Sequence, residues 1–224
     1  MTHPTSRQLQ GGLFLVFEGL DGAGKTTQVR LLHARLQQEG YDTICFKEPT
    51  DGPWGQKIRH VAQHGRQGTP PETEVDWFIE DRREDVEHNI RPALARGQIV
   101  LLDRYYFSTM AYQGALGCDP EMIRRRNEAF APPPDLLFLL EITPAHGLQR
   151  VHSHRQPDDF ERHDYLERVA TLFAQMQFPY LRRIPATLEP EAVHTRIWQE
   201  VQTVLAQRLL TGLPSACPRQ EAST

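Results

Sequence analysis

The chain reads as an α/β protein: a doubly wound, five-stranded parallel sheet flanked by helices, of the P-loop nucleotide-binding kind. Three observations carry that expectation. Short apolar runs alternate with longer helical patterns along most of the sequence. Two of those runs, Gln98–Asp103 and Leu136–Glu141, are nearly unbroken, as strands covered on both faces are. Finally, the glycine-rich segment from Gly19 to Thr26 lies between a strand-like run and a helix-like run.

The first strand is expected at Leu13–Glu18 and the first helix at Thr26–Gln38, where Val29, Leu32 and Leu36 share a face. The second strand, Asp42–Lys47, is poorly patterned on its own. A turn signal at Glu39-Gly40 precedes it and Pro49 stops it. Helical patterns follow at Gly55–His64 and Glu74–Arg96, then the third strand, Gln98–Asp103. Helices Ser108–Gly114 and Glu121–Ala129 and the stiff connection Pro132–Pro134 lead to the fourth strand, Leu136–Glu141. Helices Pro144–Ser153 and Asp158–Phe178 come next, with a weaker fifth strand near Arg183–Ala186. In the last helix, Pro190–Leu209, Val193, Ile197, Val201 and Leu205 recur on one side. The 224 residues suit one domain, expected over 11–211, with a lid segment at about 150–162 and polar tails at 1–10 and 212–224.

A net charge of −4 gives no general attraction to nucleic acid or an anionic membrane, so neither is expected as a partner. The N-terminus carries no apolar core of a signal peptide, and no apolar run approaches a membrane span. Cys45, Cys118 and Cys217 are odd in number and lack metal-ligand spacing, which fits a reducing cytoplasm.

The string Gly19-Leu-Asp-Gly-Ala-Gly-Lys25-Thr26 fits G-x-x-x-x-G-K-[ST]. Its glycines allow a tight backbone whose N–H groups converge on a phosphate chain, and the following helix aims its positive end there. Gly19, Leu20, Asp21, Gly22, Ala23, Gly24, Lys25, Thr26 and Thr27 are therefore expected to cradle a nucleoside triphosphate, which the family resemblance given below makes ATP. Lys25 would reach the outer phosphates, and Thr26 would hold Mg²⁺. Asp103, closing a buried strand, is placed to hold the same ion through water. Arg104 offers a planar fork of donors to a phosphate, and Arg104, Ser108 and Tyr112 share a face if that segment is helical. Without further context, Asp103-Arg104 also fits an ordinary strand-end turn.

Three more segments are site candidates. Phe78 and Arg82 are one helical turn apart, so a ring and a guanidinium could together hold a flat heterocycle. The same spacing fits a core aromatic beside a solvated arginine. Lys47-Glu48-Pro49-Thr50 puts a cation and an anion at a strand's carboxyl end, where ligands of such sheets gather. The run from Arg150 to Arg162 is basic at both ends and interrupted by Pro157, which suits a phosphate lid or a solvated loop.

Together these segments resemble the thymidylate kinase family. The resemblance rests on Phe17 to Gln28, Glu48-Pro49, Asp81-Arg82, Ile90 to Gly97, Asp103-Arg104-Tyr105 with Ser108, and Ala111-Tyr-Gln-Gly114, which stand in the family's order. A weaker match continues through Pro134-Asp135, Gly147-Leu148, Phe160-Glu161 and Ala186. The resemblance implies transfer of the γ-phosphate of ATP to dTMP, with Mg²⁺, by a homodimer. It implies that Asp21 approaches the acceptor's sugar and that Phe78 stacks on thymine. Lys47, Arg82, Arg104, Ser108, Tyr112 and Gln113 would hold the acceptor's base or phosphate, and Lys25 and Arg104 would serve catalysis.

Departures from the family pattern are local. Lys47 replaces the usual arginine before Glu-Pro, and Trp77 and Glu80 flank the stacking ring. Gly22 stands where one branch has a catalytic arginine, and Asp158-Asp159-Phe160-Glu161 lacks the lid arginine of the other. Arg155 is the expected substitute, with Arg150 and Arg162 as alternatives. A same-fold kinase for another nucleoside monophosphate and an ATP-binding module without efficient transfer are the competing readings.

Overall fold

The computed structural model describes residues 7–66, 68–151 and 159–211. Its sheet runs β2 (Thr43–Lys47), β3 (Ile99–Asp103), β1 (Leu13–Gly19), β4 (Leu136–Glu141) and β5 (Leu181–Pro185), all parallel. Leu13–Phe17 pair with Ile99–Asp103 on one side of β1, and Leu15–Gly19 pair with Leu136–Leu140 on the other. Every residue of β1 and β3 is buried, which is why their sequences are apolar without alternation.

Side chains alternate between two cores. Leu13, Leu15, Phe17, Ile99 and Leu101 pack with Leu32 and Leu36 of α1 (Lys25–Gln38) and with Ile197 and Val201 of α9 (Pro190–Thr211). The faces read from the sequence in these two helices are the buried ones. On the opposite face, Phe14, Val16, Val100 and Leu102 meet α3 (Pro71–Asp85), α5 (Tyr106–Gly114) and α8 (Asp159–Gln175). The remaining helices are α2 (Pro53–His64), α4 (Arg91–Ala95), α6 (Pro120–Glu128) and α7 (Pro144–Val151).

Differences from expectation have local causes. The single helix expected over Glu74–Arg96 is α3, a π-helical turn at Val86–Ile90, and α4. Pro92 has no N–H to donate and its ring crowds the preceding turn, and the ladder widens just before it. Likewise α8 ends at Gln175, short of Phe178-Pro179, and β5 begins at Leu181. The tail expected over 1–10 is packed at its end: Leu9 is buried, its N–H donates to Gly97 O at 2.8 Å, and Arg7 bridges to Tyr41.

Candidate functional site

The carboxyl ends of β1, β2 and β3 meet at one edge of the sheet, where Lys47 and Phe17 both pair in register with Asp103. A groove of about 590 Å³ opens there, lined by residues 21–28, Lys47, Asp103, Arg104, Arg150, residues 186–190 and Val193. Gly24 caps α1 in a left-handed conformation (φ 91°), which turns the chain from loop into helix. Lys25, only 6% exposed, donates from Nζ to Gly19 O at 3.0 Å and Leu20 O at 2.8 Å. Burial, with Arg104 nearby, pulls its ammonium down to about 7.

Thr26 Oγ1 donates to Asp103 Oδ2 at 2.5 Å, so the two residues expected to serve Mg²⁺ touch. Asp103 Oδ1 is buried without a protein partner. A carboxylate oxygen and a hydroxyl are hard oxygen donors, and the pair fits Mg²⁺ bound to nucleotide phosphates. Arg150 Nη1 donates to Ala186 O at 3.0 Å and Gly22 O at 3.3 Å, strapping α7 across the groove.

The loop and α7 touch through two glycines. A Cβ on Gly22 (φ 80°) would stand 2.6 Å from Gly147 O, and one on Gly147 would stand 2.6 Å from Asp21 O. An arginine at position 22 therefore has no room while α7 lies here, which accounts for the glycine. Gly147→Ala is expected to push α7 off the loop. It should cost about 1–3 kcal/mol, as overpacking does, and raise the KM for ATP. Urea unfolding and ATP titration would check this.

Arg104 joins this groove to α5. Its φ is 75°, the described chain's non-glycine residue with positive φ. Flanking hydrogen bonds hold it there: Arg104 N–H donates to Phe17 O at 3.0 Å and Tyr105 N–H to Glu18 Oε1 at 2.8 Å. The guanidinium donates to Asp21, bonds Ser108 Oγ at 2.8 Å, and lies 5.3 Å from the centroid of the Tyr112 ring. The Arg104, Ser108, Tyr112 face expected from spacing is thus realised around one guanidinium. Its unexpected support is Glu18, fully buried, which also accepts from Ser108 N–H at 3.0 Å and from Ser108 Oγ at 2.5 Å. Glu18 caps α5 from the end of β1; burial pushes its carboxyl up, and Arg104 pulls it back.

The other expected acceptor residues lie along the α3–α5 seam. Glu74, Phe78 and Arg82 succeed one another at helical spacing on α3. Glu74 Oε2 accepts from Gln113 Nε2 at 3.0 Å, and Arg82 Nη2 approaches Thr109 Oγ1 at 3.4 Å. Phe78, half-buried, stands on α3 one helical turn from both Glu74 and Arg82.

Arg82 is not the solvated arginine its spacing allowed. It is 1% exposed, bonded to Glu48 through Nε at 2.8 Å and Nη2 at 2.6 Å, and to Asn127 Oδ1 at 2.8 Å. Glu48-Pro49 is a cis peptide, and Thr50 bonds Asp81 through Oγ1 at 2.6 Å and N–H at 2.8 Å.

Burial pushes the Glu48 carboxyl up to about 8; Arg82 opposes this, and Asp85 and Asp81 add to it. The folded state then holds a proton that the unfolded chain releases near 4.5. That stabilisation is complete below about pH 4.5 and is lost as pH rises through about 8. Glu48→Gln, neutral throughout, should flatten the fall in urea midpoint across this window.

The structure gathers Asp21, Lys25, Thr26, Lys47, Asp103 and Arg104 at one groove, with Ser108 and Tyr112 tied to Arg104. Arg155 lies outside the described residues, as does the side chain of Arg162. Glu18, Glu74 and the wall at residues 186–190 were not assigned roles from sequence. Only Glu18's place at a strand's carboxyl end hinted at its part. Among the described residues neither cysteine shows activation: desolvation pushes Cys45 up to about 11 and raises Cys118.

A P-loop on a five-stranded parallel sheet, joined through one arginine to a second polar seam, defines the nucleoside monophosphate kinase type. The family model described as thymidylate kinase matches residues 17–197, and the chain belongs to that family. It is 46% identical over 196 residues to the thymidylate kinase of Desulfotalea psychrophila, covering 87% of this chain and 96% of the relative. It is 45% identical over 203 residues to that of Xanthomonas campestris pv. campestris strain B100, covering 90% and 88%. For Xanthomonas euvesicatoria pv. vesicatoria the identity is 44% over 200 residues, covering 89% and 87%. Among the described residues no helix is long and apolar enough to cross a membrane.

Proposed function

We propose that this protein transfers the γ-phosphate of ATP to dTMP, giving dTDP and ADP. The contact of Arg104 with both Asp21 of the phosphate loop and Ser108 of α5 carries this reading, because it joins a donor groove to an acceptor seam. ATP occupies the groove, with its phosphates on residues 19–27 and Lys25 at the outer ones. dTMP lies toward Phe78 and Gln113, its phosphate met by Arg104 and Lys47.

A phosphate oxygen of dTMP attacks the γ-phosphorus in line. The bond from that phosphorus to the β-phosphate's bridging oxygen breaks, and ADP leaves. No covalent nucleophile is needed, so the protein's work is positioning and charge. Arg104 and Lys47 fix the attacking group, while Lys25 meets charge on the moving one. Thr26 and Asp103 would hold Mg²⁺, which would supply neutralisation of the phosphate charge. Arg155 is the lid cation of this reading, supported by the missing family arginine at Asp159. A homodimer working in the cytoplasm belongs to the same reading, supported by family membership and by ATP and dTMP as substrates.

ADP release with ATP, Mg²⁺ and dTMP, against dUMP, dCMP and dGMP, tests the function. Preferential turnover of dTMP is expected and should vanish with chelator. Equal or better turnover of another monophosphate would overturn the acceptor, and no turnover would overturn the kinase.

A further inference from the structure

Gln113 is 3% exposed, and its amide is held at one end only. Nε2 donates to Glu74 Oε2 at 3.0 Å, while Oε1 is buried with no protein partner. Glu74 is itself 5% exposed, and its other oxygen accepts from Arg66 Nε at 2.6 Å. A carboxylate bound to a guanidinium offers only lone pairs, so the amide nitrogen must face it. Turning the amide over would set two acceptors against each other. Glu74 therefore fixes which atom Gln113 leaves free, and that atom is an acceptor. Glu74, which holds this amide across the α3–α5 seam, stands one helical turn before Phe78 on α3.

We propose that Glu74 is a specificity-determining positioning residue. It locks Gln113 so that Oε1 accepts a base N–H, which selects bases carrying an imide N3–H and rejects cytosine. Thymine and uracil present a hydrogen at N3, and cytosine presents a lone pair. Against cytosine, Oε1 meets an acceptor, and both atoms stay buried and unpaired. The 5-methyl group plays no part, so this device does not separate dTMP from dUMP. The inference rests on the proposed dTMP kinase function and deepens it.

The test compares kcat/KM for dTMP and dCMP in the parent, Glu74→Gln and Glu74→Ala. Glutamine can donate as well as accept, so it lets the Gln113 amide turn and offer Nε2 to cytosine N3. Alanine removes the lock altogether. The dTMP-to-dCMP ratio is expected to fall about 10-fold or more in both variants, with the KM for ATP unchanged. A ratio within about two-fold of the parent's, even with both activities lowered equally, would overturn the proposal and leave the kinase function standing. A parent without dTMP turnover would overturn the function and this inference with it. If Glu74→Gln proves unstable by urea unfolding, the ratio in Glu74→Ala decides.

Discussion

Lys25→Met is expected to lower turnover by about 10³-fold or more while leaving the fold within about 1 kcal/mol of the parent. The two effects separate because the lysine's environment is unfavourable to it without nucleotide. Its Nζ is buried against two carbonyls, and burial drags its ammonium toward neutrality. Methionine fills similar volume without a charge to desolvate, at the cost of two unmade hydrogen bonds. Transfer loses a cation at the place where charge develops on the phosphoryl group. ADP release and urea midpoints measure the two quantities. Turnover within 10-fold of the parent would remove Lys25 from the catalytic set.

Arg104→Gly is expected to lower kcat/KM for dTMP by about 10³-fold, with little change in the KM for ATP and stability within about 1 kcal/mol. Glycine is the right deletion because φ at this position is 75°. Alanine would keep the strain of a left-handed residue; glycine adopts that conformation freely. The flanking bonds, Arg104 N–H to Phe17 O and Tyr105 N–H to Glu18, survive the change. What disappears is the guanidinium between Asp21 and Ser108. A comparable loss of ATP affinity would place Arg104 on the donor side instead.

These residues also mark how far sequence alone could reach. The phosphate loop was legible because strand, turn and helix follow one another within a few residues. The β4 bounds and the buried stripes of α1 and α9 were legible because burial on such elements writes an unbroken or periodic apolar pattern. The Arg104, Ser108, Tyr112 face came from spacing, although Arg104 precedes α5 and reaches the others through its left-handed turn.

The environment of Arg82 was not legible. Its burial depends on Glu48 and Asn127, 34 and 45 residues away, and a lone arginine on a helix ordinarily faces water. Glu18 and Glu74 escaped for the same reason. Their partners on α5 lie 90 and 39 residues distant, and a single carboxylate leaves no periodic trace. The π-helical turn before Pro92 preserves apolar spacing well enough to look like continuous helix.

The central claim is that the γ-phosphate of ATP ends on dTMP. Following ATP, Mg²⁺, dTMP and the protein together by ³¹P NMR tests it most directly. The expected result is growth of the dTDP β-phosphate resonance in step with ADP, with no matching rise in inorganic phosphate. ADP and inorganic phosphate appearing together while dTMP stays intact would contradict it, because the chain would then be a nucleotide hydrolase with the fold of a kinase.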